Sequence, residues 1–266
     1  MPPYPRARKR FGQHFLEPAW VARLIDSLSP ADDDVFLEIG PGRGALTRAL
    51  APRVARVIAV EIDRDLAASL PGQLPQHVRV IEGDFLDVDV AELLATEGGP
   101  VRVVGNLPYN VASPILFKLL HAADEGRCIS DATIMLQKEV ADRLVAVPGS
   151  PDYGSLAIQV ALRADSERLL TLPPGAFRPP PKVTSAVVHL TFRPLLTDVG
   201  DPAVFERIVR GIFLQRRKTV LNALKPVASA LGRSAPDLIE QAAVDPRKRP
   251  EELTVLDIAR LARAVL

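Results

Sequence analysis

The feature that most constrains the fold is an alternation of short apolar segments with helical patterns between residues 18 and 145. The apolar segments are rich in β-branched residues, as expected of buried strands. They occupy residues 35–39, 54–60, 78–81, 101–104 and 133–136. Helices are predicted from Pro18, over 45–50, from the N-cap Asp63, from the Ser113-Pro114 pair, and over 138–145. Strands that alternate with helices in this way predict a parallel sheet covered on both faces.

The pattern changes after Pro148. The stretches 156–162, 169–172 and 185–192 have the composition of strands without long helices between them, which predicts an antiparallel hairpin at the edge of the sheet. Beyond Pro202 the apolar residues recur at helical spacing. We therefore predict an N-terminal basic arm over 1–17, an α/β domain over 18–197 and a small helical domain over 198–266.

Composition limits the class of protein. With 266 residues, 47% of them hydrophobic, the chain can bury a sizeable core and a second small domain. No apolar run approaches the roughly 20 residues that span a bilayer. The basic N-terminus is not followed by an apolar stretch, so we expect a soluble, cytoplasmic protein. Cys128 is the only cysteine and the four histidines are scattered singly, so we expect neither a disulfide framework nor a metal.

The net charge of +1 hides three basic clusters. They lie at residues 6–10, 216–218 and 247–249, whereas acidic residues concentrate at 32–34 and 82–97. A single cluster is compatible with an ordinary solvated surface. Three clusters on a near-neutral chain favour a protein with one phosphate-facing side.

A glycine-rich turn follows the first predicted strand. It includes Gly40 and Gly42, whose lack of a side chain lets backbone N–H groups approach a ligand closely. Glu61 ends the second strand, where a carboxylate can accept both hydroxyls of a ribose. Asp84 follows the third strand, where it can accept the exocyclic amine of an adenine. Because the carboxyl ends of parallel strands share one edge, we predict a cofactor site there.

Two cofactors fit this loop. The spacing from Gly40 to Ala45 satisfies the permissive dinucleotide fingerprint, with Glu61 at about the right distance, while S-adenosylmethionine also uses a glycine-rich loop. The fourth strand separates the two, because it is followed by Asn106-Leu107-Pro108-Tyr109 and no set of residues suited to hydride transfer is evident. We therefore favour S-adenosylmethionine.

The segment 106–109 suits methylation of a planar amine. The lone pair of an exocyclic amine is delocalised into its ring, so the nitrogen is a poor nucleophile. The side-chain oxygen of Asn106 and a backbone carbonyl at Leu107 or Pro108 would accept its two N–H bonds, localise the lone pair and aim it at the methyl group. Tyr109 would stack on the base, which must leave a duplex to be reached.

Four motifs follow one another along the chain. They are residues 10–16 (RFGQHFL), 38–42 (EIGPG), 105–110 (GNLPYN) and 177–183 (FRPPPKV). With them the chain resembles the small-subunit ribosomal RNA adenine dimethyltransferases, the family linked to kasugamycin sensitivity in bacteria. Residues 136–140 and 215–219 are also similar to family segments, so the likeness covers nearly the whole chain.

The resemblance implies a fold and an activity. The fold is a Rossmann-like class I methyltransferase, an α/β domain with a seven-stranded, mostly parallel sheet, followed by a small all-α domain. The activity is S-adenosylmethionine-dependent N6,N6-dimethylation of two adjacent adenosines near the 3′ end of 16S rRNA, late in ribosome biogenesis. The implied partner is small-subunit rRNA within 30S pre-ribosomal particles, and we expect a monomer.

The resemblance also assigns residues by motif. Cofactor contacts fall on His14, Leu16, Gly40, Gly42, Glu61, Ile62, Asp84, Phe85 and Asn106. The catalytic group comprises Asn106, Leu107, Pro108, Tyr109 and Phe177, and RNA-binding residues are Arg8, Lys9, Arg10, Arg216, Arg217 and Lys218. Phe177 would stack on the second face of the adenine, with burial in the core as the alternative. His14 stands where many relatives have Asn, which would let cofactor binding respond to pH near neutrality.

Two other functions stay open on the sequence. The first is a large-subunit rRNA adenine N6-methyltransferase of the macrolide-resistance type, which shares the segment 106–109. The second is a mainly non-catalytic factor that checks 30S assembly while keeping a cofactor pocket.

Overall fold

The computed structural model describes residues 13–126 and 128–266. The chain divides into two compact units. The first contains the described residues up to Ala141 together with Asp165–Arg193, and the second contains Asp142–Ala164 and Pro194–Leu266.

One mixed sheet organises the first unit. The strands are β1 (Phe15–Leu16), β2 (Val35–Ile39), β3 (Arg56–Glu61), β4 (Val78–Glu82), β5 (Val101–Asn106), β6 (Ile129–Gln137), β7 (Ala164–Leu172), β8 (Phe177–Arg178) and β9 (Ser185–Phe192). Seven of them form a sheet in the order β4-β3-β2-β5-β6-β9-β7. The strands from β4 to β6 in that order are parallel, and β9 is antiparallel to β6. The predicted parallel sheet with an antiparallel edge is therefore confirmed.

Helices occupy much of the chain between the strands and most of its C-terminal part. They are α1 (Pro18–Leu28), α2 (Ala45–Leu50), α3 (Arg64–Ser69), α4 (Val90–Leu94), α5 (Ala112–Gly126), α6 (Lys138–Leu144), α7 (Ser155–Arg163), α8 (Pro202–Phe213), α9 (Val220–Ala230), α10 (Ala235–Ala242) and α11 (Val255–Arg263). Pro18 opens α1, and Asp63 caps α3 by accepting the N–H of Asp65, both as predicted. No helix in the described part of the chain combines the length and apolarity required to cross a membrane.

The central strands are short apolar runs because both of their faces are covered. Phe36 and Leu37 of β2 and Val57 and Ile58 of β3 have no exposed surface. The face of α1 that carries Leu24 packs into the same core. Because both faces of these strands are buried, their apolar residues do not alternate with polar ones. The strands are therefore recognisable in the sequence as short apolar runs.

A two-stranded antiparallel sheet brings two distant motifs together. In it β1 pairs with β8, with Leu16 opposite Phe177. The last residues of the motif 10–16 therefore lie beside the first residues of the motif 177–183.

Three predictions about the elements were wrong. The stretch 156–162, predicted as a strand, is the helix α7, whose residues are buried on most sides within the core of the second unit. A short apolar helix that is covered all round loses the periodicity that distinguishes it from a strand. The segment 142–164 consequently packs with the C-terminal helices and not within an unbroken 18–197 domain. Helix α5 begins at Ala112, ahead of the expected Ser113 cap, and α10 was not predicted.

Candidate active site

A cleft lies at the carboxyl ends of β2, β3 and β5 and beside the loop after β4. It consists of two adjoining cavities of about 100 and 270 Å³, both lined by Gly40, Ile62 and Pro108. Their combined size falls at the lower end of the ~300–1,000 Å³ typical of small-molecule sites. The crevice outside the carboxyl ends of the strands is where open α/β sheets bind ligands.

The loop between β2 and α2 forms one wall of the cleft. Gly42 has a φ of 59°, in the region that side chains rarely adopt, and a Cβ there would lie 3.0 Å from the ring of Phe15. The Gly42 N–H donates to Glu61 Oε2 at 2.8 Å, while Glu61 Oε1 accepts the N–H of Asp63 at 2.8 Å. One carboxylate thus fixes the backbone on both sides of the cleft.

Two buried carboxylates give the first cavity its charge. Glu38 and Glu61 are only 2% and 3% exposed. Burial raises the pKa of Glu38 to about 7, and burial also raises the pKa of Glu61, although the N–H groups of Asp63 and Gly42 oppose that shift. Glu38 Oε2 has no hydrogen-bond partner among the described atoms.

The charge of the buried side chains discriminates between the two cofactors considered for the glycine loop. Buried carboxylates attract the sulfonium and ammonium groups of S-adenosylmethionine and repel the pyrophosphate of a dinucleotide. The residues present therefore fit S-adenosylmethionine. Within the described residues, no three His, Cys, Asp or Glu side chains are grouped so as to hold a metal ion.

The second cavity is lined by an acidic side chain and by apolar side chains. Asp84 and the buried Phe85 line it, and Asp84 Oδ1 accepts the N–H of Leu86 at 2.9 Å. Lys118 of α5 donates to the carbonyl of Leu86 at 2.6 Å and so fixes the loop from the other side. This arrangement suits a heteroaromatic ring that carries an exocyclic amine.

Asn106 ends β5 inside the first cavity. Its Nδ2 donates to the carbonyl of His14 at 2.7 Å. Because a carbonyl oxygen only accepts, this contact identifies which end of the amide is nitrogen. The amide oxygen is then the end of the side chain that remains as an acceptor.

The two residues after Asn106 differ in the use of their carbonyl groups. Leu107 is buried, and its N–H donates to the carbonyl of Met135 at 3.0 Å. The Pro108 carbonyl accepts the N–H of Val111 at 3.0 Å, whereas that of Leu107 accepts no backbone hydrogen bond from the described residues.

The Tyr109 ring is held at its hydroxyl and flanked on one face. Its hydroxyl lies 2.5 Å from Ser185 Oγ. The ring of His14 stacks against it at a centroid distance of 5.9 Å and an interplanar angle of 24°. His14 Nδ1 lies 2.7 Å from the carbonyl of Pro179, so this nitrogen carries the proton.

The structure brings almost all of the predicted site residues together. The first cavity is lined by His14, Leu16, Gly40, Gly42, Glu61, Ile62, Asn106, Leu107, Pro108 and Tyr109, and the second by Ile62, Asp84 and Phe85. The structure does not support stacking by Phe177. That ring has no exposed surface and packs in the core that includes Leu24 and Phe36, and its strand β8 is paired with β1.

Several residues of the site were not among the predicted ones, including three polar side chains. Glu38 lines the first cavity as part of the motif 38–42. Gln13 lines it too and donates to Asp63 Oδ2 at 3.1 Å, and Ser185 holds Tyr109. Glu38 and Gln13 lie within recognised motifs and could have been found there, but Ser185 carried no signal.

The predicted RNA-binding residues fall into three groups. Arg8, Lys9 and Arg10 lie outside the described residues. Arg216 is engaged by Glu251 at 2.7 Å and by the carbonyl of Pro151. Arg217 and Lys218 are exposed, so of this cluster they are the side chains that best suit phosphate contact.

Comparison with known proteins identifies the family. A family model described as ribosomal RNA adenine dimethylase matches residues 5–264. Ribosomal RNA small subunit methyltransferase A of Pseudomonas aeruginosa is 45% identical over 97% of this chain and 94% of its own length. Its namesake from Acinetobacter baylyi is 42% identical over 97% of this chain and 92% of its own length.

Solved structures agree with this assignment. A dimethyladenosine transferase from Plasmodium falciparum superimposes with a TM-score of 0.78 at 25% identity, covering 93% of this chain and 96% of the other. The 23S rRNA methyltransferase ErmE gives a TM-score of 0.67 at 27% identity, covering 94% of this chain and 99% of its own. The match over nearly the full length means that the chain belongs to the ribosomal RNA adenine dimethylase family.

Proposed function

We propose that this enzyme dimethylates N6 of two adjacent adenosines near the 3′ end of small-subunit rRNA, within 30S pre-ribosomal particles. The enzyme class and the dependence on S-adenosylmethionine, both expected from the sequence, are confirmed by membership of the family. The observation that carries the proposed chemistry is the fixed amide of Asn106, whose nitrogen is held by His14.

The segment 106–109 acts by orienting the amine. Asn106 Oδ1 accepts one N–H of the target amine, since the other end of the amide is already bound. We assign the second acceptor to the Leu107 carbonyl, because the neighbouring carbonyl of Pro108 is used by Val111. Two acceptors in fixed positions localise the nitrogen lone pair and direct it along one line.

The cofactor residues would hold S-adenosylmethionine in the same cleft. S-adenosylmethionine supplies an electrophilic methyl group bound to a sulfonium. Glu61 still has lone pairs for the ribose hydroxyls, because each carboxylate oxygen can accept more than one hydrogen bond. Asp84 would accept the amine of the cofactor adenine, and the carboxylates of Glu38 and Glu61 would favour the cationic part of the ligand.

The assignment of small-subunit rRNA as the substrate rests on the sequence identity to known relatives. Small-subunit enzymes from Pseudomonas aeruginosa and Geobacter metallireducens are each 45% identical to this chain, against 27% for the large-subunit enzyme ErmE. RNA is held through phosphate contacts by Arg217, Lys218 and the basic arm, which position the substrate without reading its sequence. The enzyme acts as a cytoplasmic monomer.

The decisive experiment is methyl transfer from labelled S-adenosylmethionine to unmethylated 30S particles. We expect N6,N6-dimethyladenosine as the product, no transfer to 50S subunits, and loss of transfer in Asn106→Ala with cofactor affinity retained. Transfer to 50S subunits instead would replace the proposal with the large-subunit function. Binding to 30S particles without any transfer would favour the assembly factor.

A further inference from the structure

Ser185 is a buried hydroxyl at the edge of the cleft. It is the first residue of β9 and has no exposed surface. Its Oγ lies 2.5 Å from the hydroxyl of Tyr109, a residue 76 positions earlier in the chain. The contact therefore joins the motif that contains the proposed amine acceptors to a strand that carries none of them.

The backbone around Ser185 is fixed from two sides. Ser185 pairs with Gln137 of β6, and the preceding carbonyl of Thr184 accepts the N–H of Lys138 at 2.9 Å. Tyr109 in contrast lies in a turn after β5 and is only half buried. A hydrogen bond to the hydroxyl at the far end of the Tyr109 ring restricts both torsions of that side chain. Ser185, whose backbone is fixed, therefore sets the tilt of the ring.

Within the described residues, a single aromatic ring contacts that of Tyr109. Phe177 is confined to the core, and the flanking ring is that of His14, which is itself held by Pro179. The orientation of the Tyr109 ring in the free enzyme hence depends on the hydrogen bond to Ser185 and on His14.

We propose that Ser185 is a positioning residue, which holds the Tyr109 ring at the tilt required for stacking on the target adenine. This inference rests on the proposed function. Ser185 acts through Tyr109, and no side-chain hydrogen bond within the described residues joins it to the cofactor residues or to the amine acceptors, so its loss should reduce turnover of the RNA substrate and leave cofactor binding intact.

The test is a double-mutant cycle on unmethylated 30S particles, with Ser185→Ala, Tyr109→Phe and the double variant. Loss of one hydrogen bond of ordinary strength predicts a fall of about three- to ten-fold in kcat for each single variant. Because both changes remove the same bond, the double variant should be no slower than Tyr109→Phe. Ser185→Cys, which keeps a weak donor of similar size, should restore part of the rate.

A matched control comes from the same pair of strands. Thr133 of β6 is buried and its hydroxyl lies 2.8 Å from Nδ1 of His189 on β9, away from the cleft. Thr133→Val should lower the melting temperature about as much as Ser185→Ala, yet leave kcat unchanged. Calorimetric titration with S-adenosylmethionine should give the same Kd for wild type and Ser185→Ala.

The outcomes separate the two proposals. Failure of the wild-type enzyme to methylate 30S particles counts against the proposed function. With an active wild type, additive effects in the cycle, an unchanged kcat in Ser185→Ala, or an equal loss of kcat in Thr133→Val would each overturn the role of Ser185.

Discussion

At the scale of single residues, Glu38 is a side chain whose ionisation is strongly altered by folding. Its pKa rises to about 7 from the ordinary 4.5, mainly through burial and further through the charge of Glu61, with Arg48 opposing the shift. Between roughly pH 4.5 and 7 the folded protein keeps a proton that the unfolded chain has lost. The free energy of unfolding therefore falls as pH rises through this window.

Glu38→Gln should remove that dependence. The amide is nearly isosteric and stays neutral, so the variant should exceed wild type in stability at pH 8 by up to about 3 kcal/mol. The advantage should shrink toward pH 5, where the wild-type side chain is protonated in the folded state. Denaturant unfolding at both pH values measures it. An equal difference at pH 5 and pH 8 would contradict the assignment, and the exposed Asp87→Asn provides the control.

At the scale of elements, Arg102 lies at the ends of the strands that are remote from the cleft, where it connects several elements. Its guanidinium bonds Asp34 at 2.8 Å before β2 and Asp131 at 3.0 Å in β6, and it donates to the carbonyl of Leu28 at the end of α1. Burial lowers the pKa of Arg102, but the two carboxylates outweigh that effect and raise it. The side chain is 18% exposed, so the pairs are largely shielded from solvent.

Arg102→Met should destabilise the first unit, because it leaves two carboxylates and a carbonyl without their donor. We expect a loss of about 2–4 kcal/mol, below the full range for a wholly buried pair. The exposed pair of Arg53 and Asp26, 3.9 Å apart, supplies the comparison, and Arg53→Met should change stability by less than about 1 kcal/mol. Equal losses for the two variants in urea unfolding would show that burial does not strengthen the network. Cofactor affinity should be unaltered in both.

Elements with a local signal were predictable, and elements defined by distant pairing were not. The strands β2 and β5 are apolar because both of their faces are buried. This apolar composition is visible in a short window of the sequence. The strands β1 and β8 have two residues each and exist only as partners. The same reason explains the site. Asn106 and Glu61 end strands and were predicted, whereas the Ser185 contact and the burial of Phe177 depend on which segments pack together.

At the scale of the whole molecule, a near-neutral chain must bind RNA through local charge. The net charge is +1, so long-range attraction is weak and affinity depends on particular cations. In the cluster 216–218, Arg216 is held by Glu251, which leaves Arg217 and Lys218 as exposed cations. Helix α8 offers a second exposed pair in Arg207 and Arg210, of which Arg207 donates to the carbonyl of Ala230 and Arg210 is paired with Glu206.

The double variant Arg217→Ala/Lys218→Ala should weaken binding to unmethylated 30S particles. If both side chains contact phosphate, the slope of log affinity against log salt should fall in magnitude by about 1.4 to 1.8, since each contact releases condensed counterions. Arg207→Ala/Arg210→Ala removes the same charge from the same unit and should leave the slope nearly unchanged. Titrations at several salt concentrations distinguish the two. Equal changes in slope would mean that the enzyme responds to its total charge, and the cluster 216–218 would then have no particular place in the RNA interface.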